Sequence, residues 1–281
     1  MNLQENIGKE SSLTKKWDQK LFQFAKEFLL SFKDKGITEE DINLHLKVKK
    51  LNDIKEIYKQ FCLAAQNRQS RPKVISGSIE GGIDKLGEVL FDFTPKKVAE
   101  KYNKTSAQEL LNVILEKIKP TGKVNENKGV IWPQYCRSVI DSAHFLKSFD
   151  TAKEFYDWAN SLSKNERLLI ISKEVFGFGE ALACDFLKEI GYEEYGKPDV
   201  HLKNIFKALG MINQGERNQD YEVLKLIGRI AQSNDETDYA VDKVFWLIGS
   251  GNFYRSKPEK NIGRQRKKFI SEVKNKIGTY K

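Results

Sequence analysis

The chain has 281 residues, 40% apolar and 31% charged, with a formal net charge of +9. That is the make-up of an ordinary soluble globular protein, long enough to bury a substantial core in one large domain or two small ones. No apolar run approaches the ~20 residues that cross a bilayer, and the polar opening from Met1 to Trp17 lacks the apolar stretch of a signal peptide. Cys62, Cys136 and Cys184 lie far apart in apolar helical stretches. They read as buried free thiols in a reducing compartment, because a zinc or iron–sulfur site needs clustered ligands.

Residues 1–12 are polar and read as loose. From Leu13 to Phe32 apolar residues recur at helical spacing, and Lys33-Asp34-Lys35-Gly36 ends the run. A second helix is expected over about Leu51 to Gln66, then a polar break from Asn67 to Pro72 and a glycine-rich loop with a short helix from Gly77 to Gly87. Thr105-Ser106 caps a helix reaching about Ile118, and a loop from Lys119 to Gly129 follows. Pro133 suits the first turn of a helix ending near Phe145. Asp150-Thr151 and Ser163 each start a further helix, over Ala152 to Asn160 and toward Ser172. Past Leu209, helices are expected over Tyr221 to Gln232 and Tyr239 to Ile248. No strand alternation is sustained and no internal repeat is visible, so the expected fold is all-α.

The segment between Val175 and Leu209 carries the most chemistry. Gly177-Phe178-Gly179 opens a helical run from Glu180 to Ile190, and Asp199 follows Gly179 by 20 positions at the start of another. Glycines supply positive φ or close approach, and the free amides at the start of a helix hold a phosphate without a cationic side chain. The plainer alternative is a turn between packed helices with Phe178 as a plug. Asp199 is a preferred N-cap residue after Pro198. A carboxylate at a helix N-terminus has its ionised form favoured, so it is suited to stabilise a cationic sugar or orient a water. His201 reads as a capping or core residue with no acid–base role. Charge adds a third element: between Gly251 and Lys281 there are ten Lys or Arg against two Glu, a surplus of eight. Such a tail is either a solvated helix or a basic arm laid along phosphates.

The pattern Val175-Phe176-Gly177-Phe178-Gly179-Glu180-Ala181-Leu182-Ala183, followed by Asp199-Val200-His201-Leu202, resembles the helix-hairpin-helix DNA glycosylase superfamily, in its endonuclease III-like branch. The family hairpin L-P-G-V-G-x-K-x-A is followed by Asp in a V-D-x-H-[ILV] context, and Asp199 lies 18 residues past Ala181, as in the family. Weaker echoes are Leu63-Ala64-Ala65-Gln66-Asn67, Tyr135-Cys136-Arg137-Ser138-Val139-Ile140, and Phe245 to Gly251, the last resembling a closing W-L-I-x-x-G helix. Together they span roughly residues 60 to 255. The departures are equally concrete. Ala181 stands where bifunctional members carry the Schiff-base Lys, Val175-Phe176 replace Leu-Pro, and no four-cysteine motif follows Gly251. The segment from Gln66 to the hairpin is also longer than in the family.

The resemblance implies two helical lobes with a cleft between them and a helix-hairpin-helix motif. It divides the chain into an N-terminal helical extension (1–50), a glycosylase-like core (51–255) and a basic C-terminal helix or arm (256–281). It implies a monofunctional DNA glycosylase of base excision repair, without lyase chemistry through Lys. Asp199 would be catalytic. Gly177, Phe178, Gly179, Glu180, Gln66, Asn67, Arg264, Lys267 and Lys268 would bind double-stranded DNA, with Gln66 and Asn67 filling the gap left by a flipped base. Trp132 and Phe178 are candidate pocket walls, although all four tryptophans lie where core packing suits them. No metal or other cofactor is called for, no membrane is expected, and the expected state is a cytoplasmic monomer, nucleoid-associated in a bacterium. Two alternatives stay open: a catalytically inactive helix-hairpin-helix DNA-binding protein, and a helical interaction protein with a solvated basic tail.

Overall fold

The computed structural model describes residues 3–68, 74–122, 124, 127, 130–213, 215 and 218–280, with side chains from Ser12 onward. Most of the expected polar break at 67–72 and much of the loop at 119–129 lie outside the described residues. The α-helices in chain order are α1 Leu3–Leu30, α2 Glu39–Leu46, α3 Ile54–Ala65, α4 Pro95–Lys101, α5 Ala107–Lys117, α6 Ile131–Leu146, α7 Ala152–Asn160, α8 Lys164–Glu174, α9 Glu180–Glu189, α10 Val200–Ala208, α11 Gln219–Asn234, α12 Asp238–Ser250 and α13 Arg266–Lys276. Short 3-10 turns occupy Lys33–Lys35, Ser76–Ser78 and Gly82–Glu88. A two-residue antiparallel ribbon, β1 Asn252–Phe253 and β2 Lys260–Asn261, is the sheet structure among the described residues. The chain is mostly helical, as an all-α reading requires, and none of its described helices is long and apolar enough to cross a membrane.

Two compact units emerge: Lys49–Tyr192, and Met1–Val48 together with Glu193–Lys281. This is not the division into extension, core and arm expected from the sequence. The first 48 residues are no separate extension, because the apolar stripe Leu21, Phe22, Ala25, Phe28 and Leu29 of α1 is buried in one core with α10, α11, α12 and α13. Nor is residues 1–12 the loose segment expected, since the helix already runs from Leu3.

In the unit Lys49–Tyr192, α6 is the central helix, packed by α3, α4, α5 and α8. Its buried face carries Tyr135, Cys136, Val139, Ile140, Ala143 and Leu146. Phe61 of α3 stacks on Phe186 of α9 at 3.6 Å between ring centroids, a pairing worth about 1 kcal/mol beyond its buried area. Tyr58 Oη donates to the Val139 carbonyl at 3.1 Å, which satisfies a polar group in the core. All three cysteines are free and buried. Burial pushes their thiols up, that of Cys184 to about 12, so none is a reactive thiolate.

In the other unit the apolar α12 is surrounded by α1, α2, α10, α11 and α13. The C-terminal segment is part of this core: Phe269 of α13 is buried and contacts the rings of Phe24, Phe28 and Phe245. Of the expected basic helix or arm, the helix is present as α13, with Phe269 and Val273 inside and its lysines outside. Asp18, fully buried on α1, receives two hydrogen bonds from the Arg229 guanidinium at 2.8 and 2.9 Å. Lys260 on β2 reaches Asp41 of α2 at 2.7 and 2.9 Å and ties the ribbon to that helix.

His45 completes the junction. A carbonyl oxygen only accepts, so Nδ1–H donates to the Asp41 carbonyl at 2.7 Å, and Nε2 accepts the Arg255 N–H at 3.1 Å. That fixes the neutral tautomer. Burial lowers its pKa below the ordinary value, Arg255 and Lys243 adding to the effect and Asp41 opposing it. The unfolded chain therefore binds the proton more readily. The contribution of His45 to stability is fully present above about pH 6.5 and is lost as pH falls below it. The urea midpoint is expected to drop between pH 7 and pH 5.5, and His45→Gln to flatten that dependence. An unchanged pH profile in the variant would show that His45 does not set it.

Candidate nucleic-acid interface

Helix α8 opens with a reciprocal capping box, Ser163 accepting from the Glu166 N–H while the Glu166 carboxylate accepts from the Ser163 N–H. It ends at Val175, whose carbonyl accepts the Phe178 N–H at 3.1 Å to close the turn into α9. The two helices pack against one another. Gly177 has φ +78, a left-handed conformation that L side chains rarely adopt. A Cβ there would also come within 2.6 Å of Arg68 Nη1 and 3.2 Å of Ser138 Oγ. Gly179 differs from expectation. Its φ is −84 and ψ 179, an ordinary N-cap conformation, and the space where its Cβ would stand is open.

Gly179 offers α9 no side-chain cap, in contrast to Ser163 on α8, Asp199 on α10 and Thr237 on α12. The amides at the start of α9 are therefore available to an acceptor from outside. Glu180 is exposed in that first turn and Ala181 is half-buried. Phe178 is a buried plug, its ring 5.4 Å from that of Phe61. Its side chain cannot reach DNA or line an open pocket. That corrects its assignment as a DNA-contacting residue or pocket wall; only its backbone belongs to the turn. Trp132 is likewise buried, edge-on to Tyr135, in a packing role.

Helix α6 pins the turn from below. Ser138 Oγ donates to the Phe176 carbonyl at 2.7 Å, and Asp141 Oδ2 accepts the Phe176 N–H at 3.1 Å. Burial raises the Asp141 pKa, the Phe176 hydrogen bond and nearby cations opposing it. Two guanidiniums lie over the Phe176 ring, Arg137 at 3.7 Å and Arg68 at 4.9 Å from its centroid. The sequence reading singled out neither arginine. Arg137 is the one Lys or Arg of α6, whereas Arg68 lies within a polar break.

Gln66 and Asn67 follow α3 in the same unit. Gln66 Oε1 is buried without a hydrogen-bond partner among the described residues. It borders a small hollow with Arg68, Gln134 and Tyr135. Asn67 Nδ2 donates to Asp185 Oδ2 at 3.0 Å. The Asn67 side chain is thus engaged within its own unit.

Asp199 belongs to the other unit, as do Arg264, Lys267 and Lys268. It is the N-cap of α10: Oδ1 accepts from the N–H groups of His201 at 2.8 Å and Leu202 at 3.1 Å. Its side chain is half-buried, and Oδ2 accepts no hydrogen bond among the described residues. His201 packs against α12 where Gly249 lacks a side chain: a Cβ there would lie 2.5 Å from His201 Cβ. Burial lowers the His201 pKa, Asp199 opposing and Arg264, Arg266 and Lys197 assisting. Arg264 is therefore an electrostatic neighbour of the Asp199–His201 cap. Lys267 and Lys268 are exposed on α13, the Lys268 ammonium 5.1 Å from the Phe32 ring centroid. Among the described residues no group of three or more His, Cys, Asp or Glu converges as a metal site would need.

No family model, curated protein or solved structure matches this chain.

The conformation of Gly177 makes a local test. Gly177→Ala is expected to cost about 1–2 kcal/mol from the left-handed backbone alone, more if Arg68 cannot withdraw, read as a lower urea midpoint. Gly179→Ala, with open space and ordinary dihedrals, is expected to stay within about 0.5 kcal/mol of wild type. Equal effects of the two substitutions would contradict this account of the turn.

Proposed function

We propose that the chain is a helix-hairpin-helix DNA glycosylase of the monofunctional type, with the glycine turn before α9 gripping a backbone phosphate and Asp199 serving the chemistry. The observation that carries the reading is the division of labour within the Asp199 carboxylate. Oδ1 is held by two backbone N–H groups, which fixes the side chain, while the half-buried group retains Oδ2 for another partner. A carboxylate so oriented is suited to stabilise the positive charge that grows on deoxyribose as the N-glycosidic bond breaks. It would also orient the water whose oxygen bonds to C1′, the departing base taking up the bonding electron pair and a proton. Ala181 supplies no amine for a Schiff base, so strand cleavage through that position is not part of the proposal.

A second reading, a DNA-binding protein that lacks the chemistry, draws on the same cap. Two backbone hydrogen bonds already give Asp199 a structural purpose that Ser or Asn would serve as well. One substitution separates the two readings. Asn is an equally good N-cap, so Asp199→Asn keeps α10 and removes the charge. Duplexes carrying oxidised, alkylated, deaminated or mismatched bases, treated with alkali after incubation, are expected to show abasic sites with wild type. With Asp199→Asn they should form at least about a hundredfold more slowly while binding persists. Undiminished base release by Asp199→Asn would remove the catalytic assignment. Salt-sensitive binding without release from any substrate would establish the second reading.

A further inference from the structure

We infer that Arg68 and Arg137, gathered over the ring of Phe176, form a binding site for a phosphate-type oxyanion distinct from the backbone amides of α9. Two cations placed together repel, and the effect is visible in Arg68: burial lowers its pKa and the Arg137 charge lowers it further. Among the described residues no acid offsets this. Asp141 also feels Arg137, and one of its oxygens is committed to the Phe176 N–H.

The ring accounts for the pairing only in part. Cation–π contact draws each guanidinium to Phe176, yet it leaves their N–H groups unspent. Arg68 Nη1 is buried with no hydrogen-bond partner among the described residues, while Arg137 is exposed. The absence of a side chain at Gly177 lets the Arg68 guanidinium approach, since a Cβ would stand 2.6 Å from its Nη1. Two planar forks with donors to spare match the oxygens of a phosphate, which guanidinium binds with paired N–H donors. The geometry defines the oxyanion chemistry. Its assignment to a nucleic-acid backbone phosphate rests on the DNA-binding reading above, and a free phosphate is the other source.

The test uses the full chain with two probes. In the first, affinity for a duplex is measured between 50 and 200 mM salt for wild type, Arg137→Gln and Arg68→Gln, with Lys117→Gln on α5 as a charge control. Each arginine variant is expected to bind about tenfold more weakly at 0.1 M salt, with the slope of log affinity against log salt reduced by about one. Lys117→Gln is expected to match wild type. In the second, inorganic phosphate is titrated at constant ionic strength while the Arg68 and Arg137 Nε–H and the Phe176 and Gly177 amide NMR signals are followed. Saturation at millimolar phosphate, abolished in Arg137→Gln, is expected. Saturation by phosphate without any duplex binding would keep the oxyanion site and overturn both its assignment to DNA and the DNA-binding reading. Wild-type affinity and slope in both arginine variants, with no phosphate response, would overturn the site and leave the DNA-binding reading intact. If neither duplex nor phosphate binds, both fall.

Discussion

Phe176 is clamped through both of its backbone polar groups by one helix. Its N–H is taken by Asp141 and its carbonyl by Ser138, two residues one turn apart on α6. A turn between helices is ordinarily free to shift by an ångström or more, because its backbone groups exchange partners with water. Here the partners are side chains on the central helix of the unit, and the adjoining Phe178 ring is buried against Phe61. The left-handed Gly177 turns the chain between the held Phe176 and the buried Phe178, two positions further on. Everything proposed for the turn, the uncapped α9 and the arginine pair alike, depends on this fixed residue.

The arginine pair shows why such a site escapes a one-dimensional reading. Arg68 and Arg137 are 69 residues apart in the chain and meet only because α3 and α6 pack side by side. Their common neighbour, Phe176, belongs to a third segment. Local spacing carries no trace of that convergence. Caps, by contrast, are local. Ser163 with Glu166, Thr151 with the Glu154 N–H, and Asp199 with the His201 and Leu202 N–H groups all sit where the sequence places a helix start. The same signal stands at Thr38 and Asp41, a full capping box that opens α2, and at Pro95 in the first turn of α4. Both helices are short, so their apolar periodicity is too brief to announce them.

The joining of both chain ends in one unit has a physical cause that composition hides. Composition marks residues 1–12 as polar and the tail as basic, which suggests segments outside a core. Polar composition, however, does not forbid a helix that has been nucleated further along, and propagation costs little once the first turn exists. Nor does a basic surface prevent burial of the opposite face. Phe269 and Val273 on α13, at i and i+4, suffice to seat that helix among Phe24, Phe28 and Phe245, while Lys267, Lys268 and Lys274 stay outside. The pairing of chain ends is a long-range contact that no local pattern encodes.

Capping and catalysis ask different things of the same carboxylate, and the geometry of Asp199 allows both to be met. A cap requires one oxygen in line with the second and third amides of the helix. Oδ1 meets that demand alone, accepting both N–H groups at hydrogen-bonding distance. The second oxygen is then oriented by the first, so its direction is set by the helix axis rather than by a freely rotating side chain. Immobilising a charged group in advance lowers the cost of using it in a transition state, because no reorganisation is needed when the cation appears. His201 strengthens the same arrangement from behind. Its packing into the space left by Gly249 fixes α10 against α12, and with it the orientation of the N–H groups that hold the carboxylate. The histidine thus contributes as a half-buried strut, a role consistent with its lowered pKa and with Nδ1 having no hydrogen-bond partner among the described residues.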